Sequence, residues 1–247
     1  MSMIKHLESN VETQPKFLWF IIVSYTMITV MSNWFDFRLI DFFGLTVLPG
    51  AIIFPLNFLI SDIITEAYGY KKARLAIWTA FLFNLLFLAY GQIIAYLPSP
   101  SFAAHNNAIF DKILTVNFFV MLGSFLSYLI SEPLNAYIVS KLKIKFNGEF
   151  MGVRFITSTV IASFFDSIIF TTVAFGHVYN AYHVIQIIFS IWITKVVVEI
   201  LIVPISVRLT KILKVKERVD VYDYNTNYNI FRLDSEYPTK NNKFSTN

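Results

Sequence analysis

Two ionisable residues lie deep inside apolar runs, Asp166 in TSTVIASFFDSIIFTTVAF and Lys195 in ITKVVVEILIVP. Asp166 is nine residues short of Phe175 and Lys195 is eleven past Val184. At 1.5 Å per helical residue both sit about 13–17 Å from the same face, a shared depth near a bilayer midplane. An unpaired charge there costs about 2.5–3.5 kcal/mol on insertion scales, so the two are expected to meet across neighbouring antiparallel helices. Such a pair either ties two helices together or forms a polar binding site. Glu199, four residues after Lys195 on the same helical face, is the rival partner, and a shared Asp166, Lys195, Glu199 cluster is a third arrangement.

Further carboxylates occur where apolar spans end. In FPLNFLISDIITEAYGYKKAR, Asp62 and Glu66 precede Lys71, Lys72 and Arg74. In LISEPLNAY, Glu132 and Asn135 flank Pro133, with Glu132 about 27 Å below the outer end of its span, level with Asp62. Two readings stand for each: a polar path through the membrane, or local roles, with Glu132 snorkelling to the interface and Asp62 and Glu66 helping Lys71 and Arg74 to cap a helix end. Pro49, Gly50 and Pro55 in VLPGAIIFPLN predict a kinked or unwound helix between 49 and 55, because proline removes a donor and clashes with the preceding turn. Broken helices expose backbone polar groups to transported ligands, and prolines also kink helices for packing alone. Ser32 and Asn33, near the outer end of the first span, could face a polar ligand or bond a neighbouring helix.

The elements that must carry these residues are transmembrane helices. The chain of 247 residues is 56% hydrophobic and 15% charged, with a mean hydropathy of +0.59. That is too apolar for a soluble domain to cover with water-facing surface. Runs long enough to cross a ~30 Å core occur at 17–35, 43–61, 75–97, 113–138, 155–175 and 184–207. The expected fold is therefore all-α, a polytopic membrane protein of six helices. Residues 1–16 precede a transmembrane domain over 17–207, and 208–247 form a basic segment and a disordered tail. The first run is too long for the apolar part of a signal peptide and no small-residue cleavage site follows it, so it should remain in the mature protein.

Lysine and arginine set the direction. One side collects Lys5 and Lys16, then Lys71, Lys72 and Arg74, then Lys141, Lys143 and Lys145, then Arg208, Lys211, Lys214, Lys216 and Arg218; the other has Arg38 and Lys112. Both termini are expected in the cytoplasm, with the 36–42, 98–112 and 176–183 loops outside. After Val219 the chain becomes polar and Asn-rich, a composition that buries no core and predicts a mobile tail. The net charge of +4 follows this topology, so no nucleic-acid partner is expected. Cysteine is absent, which excludes disulfides and thiolate metal sites. His6, His105, His177 and His183 all fall outside the spans, and there is no HExxH, GxSxG or Walker motif, so catalysis inside the membrane and ATP hydrolysis by this chain are not expected.

The chain resembles the queuosine precursor transporter family, also called the vitamin uptake transporter family, over roughly residues 30–207. The resemblance rests on MSNWF, FPLNFLISDIITEAYGYKKAR, GSFLSYLISEPLNAYIVSKLK, TSTVIASFFDSIIFTTVAF and ITKVVVEILIVP taken together. It implies a multi-pass protein of the bacterial inner membrane that takes up a 7-deazaguanine base, a small-molecule precursor of the queuosine in tRNA. It implies no cofactor and no metal. Asn33, Asp62, Asp166 and Lys195 stand at the family's polar positions. Relatives often have Gln at position 132 and Asp at 135, so the acid is displaced by about one turn and substrate detail shifts with it. Glu132, Asn135 and Glu199 complete the set expected to bind substrate. A deazaguanine edge offers N1–H and an exocyclic amine side by side, which one carboxylate accepts as a fork, while its carbonyl takes a donor; Asp166 with Lys195 supplies both. The alternative is a substrate-capture component that works only with partner ATPase and scaffold subunits. A homo-oligomer or partner subunits are compatible with either reading.

Overall fold

The computed structural model describes residues 15–35, 40–42, 45–47, 49–115 and 118–245. Lys5, Arg38 and the start of the 36–42 loop lie outside them. Eight helices are seen among the described residues: α1 (Leu18–Phe35), α2 (Pro49–Ile53), α3 (Pro55–Tyr68), α4 (Tyr70–Ala95), α5 (Ala104–Thr115), α6 (Phe118–Lys145), α7 (Met151–Phe175) and α8 (Ala181–Glu217). A two-stranded antiparallel ribbon, β1 (Ile40–Phe42) and β2 (Leu45–Val47), pairs Asp41 with Thr46 between α1 and α2.

Burial is inverted relative to a water-soluble fold. Trp19, Phe20, Phe83, Leu86, Leu201 and Ile205 are exposed, whereas Asp62, Glu66, Glu132, Arg154 and Asn135 are each 0% exposed. Apolar side chains face outward because hydrocarbon surrounds the bundle, and polar side chains are inside because only there can they find partners. Five stretches are long and apolar enough to cross a membrane: α1, α4, the stretch through α5 and α6, α7 and α8. The protein is a multi-pass membrane protein.

The second expected span, 43–61, differs from the others. It consists of the end of the ribbon, the short α2, and α3, with the break at Phe54 and a proline opening each helix. Proline suits the first helical turn, where its missing N–H would have no partner, so Pro49 and Pro55 start helices at the place where they would break one continuous helix. Twelve of the fourteen residues of α3 are buried. It packs against α1, α4, α6, α7 and α8 and so forms the hub of the bundle. The outer 98–112 loop also departs from expectation, since most of it folds as α5.

The stretch expected to be a mobile tail is docked. Val221 donates to Ala67 O at 3.0 Å and bridges Asn242, while Tyr222 donates to Asn241 O at 2.8 Å. Composition pointed to disorder because the segment has few aliphatic residues; it is held instead by polar contacts with the ends of helices α3, α4 and α6.

Candidate functional site

Polar side chains from six helices stack in three layers along the bundle interior. The layer farthest from the basic end is a cleft. Asp166 of α7 and Lys195 of α8 form a close ion pair there. The hydroxyl of Ser131 on α6 donates to the second Asp166 oxygen at 3.2 Å. The Lys195 ammonium also sits 4.3 Å from the centroid of the Phe54 ring, at the break between α2 and α3. A cation shared by a carboxylate and an aromatic face is held by both without leaving the cavity. Asn33, Gly50, Phe54, Tyr128, Phe170 and this ion pair are among the groups that line the cleft, whose volume is about 50 Å³. That is well below the roughly 300–1,000 Å³ usual for small-molecule sites, so the cleft must widen to take a ligand of that size. Two phenyl rings beside a charged pair suit a flat, polar-edged ligand.

One turn nearer the basic end lies a second layer, made of Asp62 (α3), Glu132 and Asn135 (α6) and Glu199 (α8). The Asn135 amide donates to Asp62 Oδ1 at 2.6 Å. Both carboxylate oxygens of Glu132 and of Glu199, and Oδ2 of Asp62, are buried and have no hydrogen bond among the described residues, the Tyr25 and Ser61 hydroxyls standing near Glu132 without bonding geometry. Tyr25 of α1 and Tyr128 of α6 share a hydrogen bond of 3.0 Å between this layer and the cleft, and Tyr128 donates onward to Ile77 O at 3.1 Å.

The third layer closes the basic end. Arg154 of α7 grips both oxygens of Glu66. Lys214 of α8 donates to Glu66 Oε1 at 2.6 Å, and Lys143 of α6 lies 4.0 Å from the same atom. Lys143 and Lys214 each reach Asp220 of the C-terminal segment at 2.7 Å. Burial pushes the Asp220 carboxyl up, but the ammonium groups of Lys143 and Lys214 outweigh it and hold the group below its usual range. Beside this layer, Asp223 accepts from Tyr70 N at 3.1 Å, from Ser140 Oγ at 2.5 Å and from the Tyr237 hydroxyl. Arg74 donates to the carbonyls of Asn229 and Asp234 at 2.7 and 2.6 Å.

The expected site residues therefore divide. Asn33, Asp166 and Lys195 meet in the cleft. Asp62, Glu132, Asn135 and Glu199 are brought together, but beneath the cleft and not on its lining. Lys195 pairs with Asp166 across helices rather than with Glu199 along α8. Glu132 does not snorkel to an interface, being fully buried. Asp62 and Glu66 do not assist Lys71 and Arg74 at a helix end. Glu66 is held by Arg154 and Lys214, while Lys71 and Arg74 bond Asp234 of the C-terminal segment. Arg154, Asp220, Tyr25 and Ser131 were not singled out by sequence reasoning. Arg154 alone offered a signal: an arginine on the fourth residue of an apolar helix needs a carboxylate nearby.

A family model described as "Putative vitamin uptake transporter" matches residues 49–209, from α2 to α8. The chain belongs to this family. The transporter is also 28% identical over 193 residues to the "Probable queuosine precursor transporter" of Bacillus subtilis (strain 168), covering 77% of this chain and 83% of that one. No solved structure matches it significantly. The matched region contains the buried carboxylates from Asp62 to Glu199 and the named cleft residues apart from Asn33, and ends before the segment that docks on the third layer.

Proposed function

We propose that this transporter imports a queuosine precursor, a 7-deazaguanine base such as 7-cyano- or 7-aminomethyl-7-deazaguanine or queuine, across the cell's inner membrane, with both termini cytoplasmic. The observation that carries the proposal is the Asp166–Lys195 pair facing a cleft between Phe54 and Phe170. In this reading the base stacks beside the rings. Asp166 accepts the fork of N1–H and exocyclic amine, and Lys195 or Asn33 donates to the neighbouring carbonyl. The relative's printed name supports the substrate class, and the excess of Lys and Arg at one end supports the orientation.

The break at Phe54 supports movement around the cleft. α3, packed on five neighbours and joined to the short α2 through the break at Phe54, can rock without opening its own hydrogen bonds to lipid. The test is uptake of labelled 7-deazaguanine bases by cells unable to make them, then by the purified protein in liposomes. Uptake in both systems is the expected result. Uptake in cells and none in liposomes points to a capture component that needs partner ATPase subunits, and uptake in neither rejects the substrate class.

A further inference from the structure

We propose that Asp62, Glu132 and Glu199 form the transporter's proton site, separate from the substrate cleft, and that the substrate crosses together with protons taken up there. The observations are geometric. The three carboxylates come from α3, α6 and α8, are 0%, 0% and 1% exposed, and leave five oxygens without a hydrogen-bond partner among the described residues. None of them is in an ion pair among the described residues. An ionised carboxylate buried without a partner costs several kcal/mol, and taking up a proton removes that cost.

The groups around the site leave no cation to do this instead. Asp62 faces Asn135 and Glu132 of α6, Glu199 of α8 and, on its own helix, Glu66. Glu66 is already held by Arg154 and Lys214. Glu132 faces Tyr25 of α1, Ser61 of α3, Asp166 of α7 and Lys195 of α8. Lys195 is committed to Asp166. Three neighbouring carboxylates of one sign repel one another, so the packed arrangement is stable only when protons neutralise them.

A sodium ion fits poorly. Hard cations take several oxygens, commonly from unwound backbone. Here α3 runs unbroken from Pro55 to Tyr68, so its carbonyls are committed, and the prolines inside α6 and α8, Pro133 and Pro204, free about one backbone carbonyl each, too few for a cation's shell. The Asn135 amide also points its N–H at Asp62, where a cation would sit. The step requires no redox partner. A proton leaves water on one side and adds to a carboxylate oxygen as the bundle packs around it; when the bundle opens to the other side and water reaches the layer, the same O–H bond breaks and the proton returns to water. Glu132 lies within electrostatic reach of both Asp166 and Lys195 and so links the layer to the cleft.

Only the identity of the co-transported substrate rests on the reading above, and the test separates the two. Infrared spectra of the purified full-length protein at neutral pH should show the C=O band of protonated carboxyl groups, weakened in Glu132→Gln and again in Glu199→Gln. Absence of that band from the wild-type protein overturns the proton site, whatever the variants do. In liposomes, one proton per substrate and one pH unit, acid outside, should accumulate labelled 7-deazaguanine about tenfold, and in Glu199→Gln the ratio of uptake with and without the gradient should fall to about one. Accumulation driven by a sodium gradient and indifferent to pH overturns the proposal. A wild-type protein that shows the infrared band and moves no 7-deazaguanine supports the proton site and rejects the substrate reading.

Discussion

Glu66 and Glu199 are both buried glutamates inside one bundle, yet their surroundings are opposite. Glu66 is gripped by Arg154 and Lys214, with Lys143 4.0 Å away, and is tied through Lys143 and Lys214 to Asp220. Among the described residues Glu199 has no hydrogen-bond partner for either oxygen, and its neighbour Asp62 has one. The layer around Glu66 is therefore a fixed clamp whose charges are all committed, and removing any one takes an ion-pair contact from a buried partner. The layer around Glu199 can change its charge by binding or losing protons without breaking an ion pair. A transporter requires both kinds of region, one that holds the helices at the basic end and one whose charge follows its conformation.

The largest expected effect breaks the clamp. Arg154→Met takes from Glu66 the partner that grips both its oxygens and leaves it with Lys214 and the more distant Lys143, and removing one partner of a buried pair costs about 3–5 kcal/mol. Folded protein in the membrane should fall steeply, and adding Glu66→Met should recover part of it; unchanged levels in the single variant contradict a load-carrying clamp. Next is the cleft. Asp166→Asn loses a charge-assisted fork, about 1.5–3 kcal/mol, or roughly ten- to a hundredfold in substrate affinity by direct binding. Were the pair only structural, Asp166→Leu with Lys195→Leu would fold and transport normally, and that outcome removes the cleft from the proposed function.

Smaller effects are expected where the C-terminal segment docks. Gly69 has φ +84°, and a Cβ there would fall 2.6 Å from the Tyr237 hydroxyl, so Gly69→Ala meets both backbone strain and a clash. The segment should become sensitive to protease while the helices stay folded. Protection should also depend on acid. The depressed Asp220 carboxyl contributes stability that is complete above its unfolded value of about 3.9 and is lost as pH falls through its lower folded value. Docking should thus persist at pH 5 and weaken below about pH 4, and release at pH 6 would contradict the ion-pair account. The smallest effect belongs to Lys71→Ala, which removes a partly exposed pair with Asp234 worth about 0.2–1 kcal/mol. Proteolysis should change little, in contrast with Gly69→Ala.

Much of the site could be read along the chain because charge in an apolar run has few explanations. Asp166, Lys195 and Asn33 do meet in one cleft, and the break between 49 and 55 falls where the prolines require it. The separation of Asp62, Glu132, Asn135 and Glu199 from that cleft was not legible. Depth along a helix can be counted from residue numbers, but the rotation of each helix toward its neighbours cannot. The segment after Val219 was misread for a related reason. Composition reports whether a segment can bury apolar area, and this one is held by Asp220, Val221, Asp223 and Tyr237, whose partners on α3, α4, α6 and α8 lie up to 166 residues away.

The sequence by itself determined the solvent of this protein, the rough positions of five of its long helices, the break before Pro55 and the depth at which Asp166 and Lys195 sit. These follow from local quantities: hydrophobic run length, proline geometry and rise per residue. The tertiary structure decided which charge meets which. It gave Lys195 to Asp166 rather than Glu199, gave Arg154 to Glu66, and left the carboxylates between them without a cation. Pairing depends on the rotation and packing of α3, α6, α7 and α8 around one another, which no single helix encodes.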